Sequence, residues 1–228
     1  MKRPLTIAID GPAGAGKSTM ARLVARRLGY LYVDTGAMYR ALTLKALKEG
    51  VDPRDGKAVT DLAESTKITL EPAGEQGDRP LIFMDEEDVT NKLRTPEIDR
   101  WVSTIAAYPG VRRKLVHLQR EIAARGGVVV DGRDIGTNVL PGADLKFFVT
   151  ASFPERVKRR YLELAAKGYG VTREEVRREL CKRDQLDTTR STAPLSRAPD
   201  AIVVDTTRMS IEEVAEVLMH YCRETREG

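Results

Sequence analysis

Residues 11 to 19 read Gly11-Pro12-Ala13-Gly14-Ala15-Gly16-Lys17-Ser18-Thr19, a complete G-x-x-x-x-G-K-[ST] phosphate-binding loop. No other stretch constrains the fold as tightly, because such a loop works only between a buried strand and the start of a helix. The context fits: Leu5-Thr6-Ile7-Ala8-Ile9 is an apolar run, and Lys17 to Leu28 continues with a helical pattern. Glycines let backbone N–H groups curl around an anion, and the following helix points its positive end at the same spot. Lys17 can then reach the β- and γ-phosphates of a nucleoside triphosphate while Ser18 holds Mg2+.

Five short apolar runs read as central strands, at residues 5–9, 30–34, 128–131, 145–149 and 201–205. Helical patterns separate them, which predicts an α/β fold: a P-loop NTPase-type five-stranded parallel sheet with helices on both faces. Gly29 stops the first helix, and Thr95-Pro96 opens another with proline at its first position. Ser152…Glu155, Thr172…Glu175 and Ser210…Glu213 each match a capping box. One segment breaks the rhythm. Residues 67–71 and 81–85 flank a turn-rich Pro72 to Pro80 stretch and predict an antiparallel hairpin. The chain therefore divides into a core (1–59, 96–151 and 196–228), a hairpin-containing insert lobe (60–95) and an arginine-rich helical lid (152–195).

Hydrophobic residues make up 41% of the 228 and charged residues 32%, with a net charge of +4. The charge is uneven: residues 152–197 hold 12 Lys/Arg against 7 Asp/Glu. Such a region suits phosphates of small nucleotides or a nucleic-acid backbone. Aromatic residues are only 5% and do not interleave with the arginines, which favours small phosphates. No run approaches a membrane span, and the apolar stretch after Met1 to Pro4 is too short for a secretion signal. Two distant cysteines and two histidines argue against disulfide or zinc frameworks and suit a reducing cytoplasm.

Three further groups carry chemistry. Asp34 to Arg40 follows the second strand at the sheet edge where α/β folds bind ligands, and Thr35 and Arg40 could hold a second phosphate. Taken alone, those residues read more readily as an ordinary strand-to-helix turn with a capping Asp or Thr. At the end of the third strand, Asp131 stands where an acid would orient Mg2+ or its waters, and Arg133 suits bidentate phosphate contact. Asp131-Gly132 is also a plain turn signal. The third group is Arg183, Asp187 and Arg190, with Arg156, Arg159 and Arg160 upstream. Arg183 and Asp187 share a helix face at i,i+4, and helix-surface salt bridges are the alternative reading. Phosphoryl transfer spreads charge over oxygens that arginines stabilise, and it needs no obvious base. His117 and His220 read as helix-surface residues.

These segments together resemble the bacterial cytidylate kinases, within the nucleoside monophosphate kinases. The matching pieces are IDGPAGAGKST (9–19), DTGAMYR (34–40), Val102 to Arg112, DGRDIGT (131–137), and Arg183-Asp-x-x-Asp187-x-x-Arg190 leading to Ala193-Pro194-Leu195. They span nearly the whole chain, and the hairpin insert fits as well. The resemblance implies an Mg2+-dependent transfer from ATP to CMP or dCMP by a monomeric cytoplasmic enzyme. Gly11 to Thr19 would bind ATP phosphates, with Ser18 and Asp131 on the metal. Thr35, Arg40, Arg133 and Arg190 would hold the CMP phosphate. Ser103, Arg112 and Asp134 would read cytosine, Arg183 and Asp187 would contact ribose, and Arg156, Arg159 and Arg160 would lie in the lid. Lys17, Arg133, Arg159 and Arg183 would carry the catalysis. Many relatives have Ser where Thr35 stands, which keeps the hydroxyl and adds a methyl. Rival readings are a kinase of UMP or shikimate, and a nucleotide-gated switch or nucleic-acid binder. No NKxD-like guanine-reading motif supports the switch.

Overall fold

The computed structural model describes residues 3–71 and 80–227. Five strands form a parallel sheet: β1 (Thr6–Asp10), β2 (Leu31–Asp34), β6 (Val128–Asp131), β7 (Leu145–Thr150) and β8 (Ile202–Asp205), in the order β2-β6-β1-β7-β8. All five predicted strands are present, with ends displaced by about a residue. The first starts late because the Leu5 N–H donates to the Tyr30 hydroxyl at 3.0 Å instead of joining the ladder. It ends late because Asp10 continues in register with Phe148 of β7.

Side-chain alternation along these strands builds a core on each face. Ile7, Ile9, Val129 and Phe147 face α1 (Lys17–Leu28) and α8 (Ile211–Glu227), packing on Met20, Val24 and Leu218. Ala8, Val33 and Val130 face the other way, against Val116 and Ala123 of α5 (Pro109–Ala123). From β1 the chain goes to β2 on one side of the sheet, and after β6 it crosses over β1 to β7 on the other. That switch opens a crevice at the carboxyl ends of the strands.

A second core joins α2 (Thr35–Lys48), α3 (Gly56–Ser65), α4 (Pro96–Ile105) and α5 to a small antiparallel sheet. The predicted hairpin is β3 (Ile68–Glu71) and β4 (Leu81–Met84). The turn-rich residues between them, 72–79, lie outside the described residues. A third strand, β5 (Glu87–Asp88), pairs with β4 through a two-residue turn that the sequence did not signal. Asp85 and Glu86 adopt φ of 48° and 72°, the twist a tight hairpin needs, where Asn-Gly would be usual. Asp85 compensates by accepting from the Lys67 N–H at 2.9 Å and from Lys45 at 2.7 Å. The predicted strand over 81–85 therefore stops at Met84.

The basic segment folds as two packed helices, α6 (Phe153–Ala166) and α7 (Arg173–Thr189), joined through Val157, Leu164, Val176 and Leu180. Helix punctuation follows the sequence in most places. Gly29 caps α1 with φ 67°, Thr95 accepts from the Ile98 N–H at 3.2 Å, and Thr172 and Glu175 bond reciprocally. Ser210 and Glu213 do the same before α8. Ser152…Glu155 does not form its box. Glu155 is drawn instead to Arg159, one turn on, at 3.0 Å, and the Ser152 N–H donates to Thr207 Oγ1 at 2.8 Å.

Candidate active site

The crevice above β1 and β6 is a cavity of about 360 Å³ whose lining runs from the phosphate loop to α4, α5 and α7. The loop's geometry follows from its glycines. Gly11 has φ 145°, and a Cβ there would lie 1.9 Å from the Val149 carbonyl oxygen. Gly14 and Gly16 are also left-handed, and α1 begins at Lys17. Ala13, Gly14, Gly16, Lys17, Ser18 and Thr19 face the cavity, whereas Ala15 is fully buried and Gly11 packs on β7. Lys17 folds back, its ammonium donating to the Pro12 carbonyl at 2.7 Å. Burial and nearby Arg133 push its pKa well down, against the pull of Asp131. An incoming phosphate would restore the missing counter-charge.

Asp131 closes this end. Its Oδ2 accepts from Ser18 Oγ and its Oδ1 from the Tyr32 hydroxyl, each at 2.8 Å. Burial, with Asp34 nearby, pushes its carboxyl up to about 6 although Lys17 opposes the shift. Ser18 and Asp131 thus present adjacent hard oxygens, the chemistry Mg2+ selects. Were Mg2+ held there, phosphate and water would have to complete its shell. Asp10, fully beneath the loop, accepts from the Ile135 and Gly136 N–H groups at 2.8 and 2.7 Å, and so anchors the segment after β6.

At the far end, Ser103 on α4, Arg112 on α5 and Asp134 after β6 come together, although they are separated by up to 31 positions in the chain. Asp134 is held by Arg112, by Arg190 at 2.9 Å and by Asn138 at 3.0 Å. The Arg112 Nε is buried without a hydrogen-bond partner among the described residues, and its guanidinium lies 5.9 Å from the Tyr39 ring centroid. Arg133 donates to Asp187 at 2.7 Å, and Ser103 also bonds Asp187. Between the two ends stand Thr35, Arg40, Arg159, Arg160 and Arg183, all lining the cavity.

One placement differs from the sequence expectations, and two further residues, Thr35 and Arg190, line the cavity with their polar groups already engaged by protein. Arg156 does not line the cavity: it is buried behind the loop, donating to the Ala13 carbonyl at 3.0 Å and pairing with Asp184 at 2.7 Å. Arg160, one turn on, crosses instead to Asp99. Arg190, expected on a phosphate, is tied to Asp134 and to the Ala193 carbonyl at 2.7 Å, at the base end. The Thr35 hydroxyl proton is already given to the Asp131 carbonyl at 2.7 Å. The sequence reading also missed residues. Arg94 lines the cavity and binds Asp34 at 2.9 Å, and Tyr39 and Glu163 are in the wall. Asp99, in the first turn of α4, receives Arg40, Arg160 and Arg183. An acid in a first helical turn reads as a helix-dipole partner, so nothing in sequence set it apart.

The model of the cytidylate kinase family matches residues 7–224. Cytidylate kinases from Symbiobacterium thermophilum and Carboxydothermus hydrogenoformans are 49% and 52% identical to this chain, over 98% of both chains and over 94% and 96%. That of Limosilactobacillus reuteri (strain DSM 20016) is 49% identical over 100% of this chain and 99% of its own. Among solved structures, an uncharacterized protein from Eubacterium ventriosum shares the fold, with a TM-score of 0.51 at 12% identity over 95% and 97% of the two chains. A shikimate kinase from Acinetobacter baumannii scores 0.49 at 15% identity, over 99% and 96%. With near-complete coverage at about half identity, and with the loop, the paired carboxylates and the arginines in one crevice, the chain belongs to the cytidylate kinase family.

Proposed function

We propose that this chain transfers the γ-phosphoryl group of ATP to CMP or dCMP, giving ADP and CDP or dCDP. The observation that carries the reading is a single cavity with a phosphate loop at one end and Ser103, Arg112 and Asp134 at the other. The ends fit a triphosphate and a base, and the arginines between fit the phosphates that must meet. Cytosine offers an N4 amino donor and N3/O2 acceptors. Asp134, fixed as an ionic acceptor, suits N4, and Arg112 and Ser103 suit N3 and O2. Uracil would set O4 against the carboxylate and leave buried groups mispaired, a strong basis for discrimination.

On this reading Gly11 to Thr19 hold the ATP phosphates, and Lys17 leaves the Pro12 carbonyl for the β- and γ-phosphates. Mg2+, held by Ser18 and by Asp131 directly or through water, would neutralise charge on the phosphate oxygens. Arg40, Arg133 and Arg183 orient the acceptor phosphate, while Arg159 and Arg160 approach the transferring group. Asp187, bonded to Arg133 and Ser103, faces the ribose. Positioning and charge stabilisation supply the rate. Residues 60–95 form the monophosphate lobe and 152–195 the lid, which excludes water so that ATP is not hydrolysed. No helix among the described residues is long and apolar enough to cross a membrane. Both cysteines are free, and a monomer in the cytoplasm acting on small molecules, not nucleic acid, completes the reading.

The test is ADP formation from ATP and Mg2+ with each nucleoside monophosphate in turn. CMP and dCMP are expected to exceed AMP, GMP and UMP clearly; equal stimulation by UMP would overturn the cytosine assignment.

A further inference from the structure

Asp99 lies behind the cavity wall rather than in it, and arginines from three other helices converge on its carboxylate. Arg40 of α2 approaches Oδ1 at 3.4 Å, Arg183 of α7 approaches it at 3.5 Å, and Arg160 of α6 bonds Oδ2. All three arginines line the cavity. Each guanidinium has five N–H donors in a planar fork, so one edge can rest on Asp99 while the others face inward. Arg183 leaves its Nε buried and unpartnered among the described residues.

Without Asp99 this arrangement would be hard to hold. Arg183 is crowded by Arg133 and Arg40, and burial with those like charges pushes its pKa down to about 10. Burial alone would raise the Asp99 carboxyl, but Arg40, Arg160 and Arg183 outweigh it and hold it at about 2. Asp99 is thus ionised throughout the working range. It is also the link between α4, whose Ser103 stands at the base end, and α6 of the proposed lid.

We propose that Asp99 is a positioning residue for phosphoryl transfer, a carboxylate that sets three phosphate-facing arginines from behind and ties the lid helix α6 to the acceptor wall. The inference rests on the kinase reading above, since it needs those arginines to meet phosphates. It differs from a purely structural role in acting through Arg160, the closest of the three.

A double-mutant cycle tests it, with kcat and KM for CMP measured for wild type, Asp99→Asn, Arg160→Ala and the double variant. Asp99→Asn is close to isosteric and removes the charge together with one of the two acceptor oxygens. It is expected to lower kcat and raise KM for CMP, each by about tenfold, the scale of one charge-assisted hydrogen bond. In the Arg160→Ala background the kcat loss should shrink to about threefold, because one of the three arginines it acts through is already gone while Arg40 and Arg183 remain. Asp99→Glu keeps the charge and is expected to recover most of the turnover. It also serves as the probe if Asp99→Asn does not fold, since its smaller loss should likewise shrink beside Arg160→Ala. Multiplicative losses in kcat, or Asp99→Asn at wild-type rates, would overturn the inference alone. Wild type without CMP-stimulated ADP release would overturn the kinase reading itself.

Discussion

Arg133 sits where the proposed donor and acceptor meet, and among the described residues its one ion pair is with Asp187 at 2.7 Å. Arg133→Ala leaves the strand and sheet contacts in place, so folding should survive. Turnover should fall by about 10³ or more, the scale of one arginine on a transferring phosphoryl group. Steady-state kinetics beside a far-ultraviolet circular dichroism spectrum checks both halves; near-normal turnover would remove Arg133 from the site. Side-chain direction was the weak point of sequence reading at this scale. Arg156 and Arg160 are one turn apart on α6, but one braces the phosphate loop through Ala13 and the other crosses to Asp99. Spacing alone predicts a shared face. Which partners pull each fork aside depends on α4 and α7, both distant in the chain.

At the scale of elements, the phosphate loop depends on how closely it runs along β7. Gly11→Ala would drive a methyl into the Val149 carbonyl and force φ 145° on a residue that resists it. The combined strain and overpacking should cost about 2–4 kcal/mol and displace the loop. Urea unfolding measures the stability loss, and ATP titration should show binding weakened out of proportion to it. An unchanged denaturation midpoint would mean that the backbone relaxes freely there. Local signals made these elements legible. An apolar run, glycines at fixed spacing and capping residues are written within about ten positions, and β1, α1, β6 and α7 follow from them. The β4–β5 turn escaped because Asp85-Glu86 lacks turn chemistry of its own and is held by Lys67 and Lys45. Asp99 and Arg94 escaped because their importance arises only when remote helices converge.

For the whole molecule, buried carboxylates shape the pH response. Burial pushes the Asp10 carboxyl up to about 6, with the Gly136 and Ile135 N–H groups opposing and Asp134 reinforcing. Its folded value lies above the ordinary 3.8, so the native state binds the extra proton between those limits. The penalty is present in full above pH 6 and is relieved as pH falls toward 4. Asp99 works the other way: its value of about 2 gives stability that is present above 3.8 and lost as pH falls through 2. The stability gap between wild type and Asp10→Asn should therefore change in favour of wild type by up to about 3 kcal/mol from pH 7 to pH 4. Denaturant unfolding of both proteins across that range measures it, and a constant gap would show that Asp10 does not titrate there.

One strand end, finally, serves both sides of the crevice. Asp131 closes the phosphate-loop end, and Arg133 and Asp134 belong to the acceptor end, all on the chain leaving β6. Three peptide links span at most about 11 Å. On the proposed reading, the separation of the two substrates would be measured out by covalent bonds at the end of β6, in a segment that Asp10 anchors. Closure of the lid helices would then decide when the reactants are sealed from water, and the covalent ruler how far apart they stand.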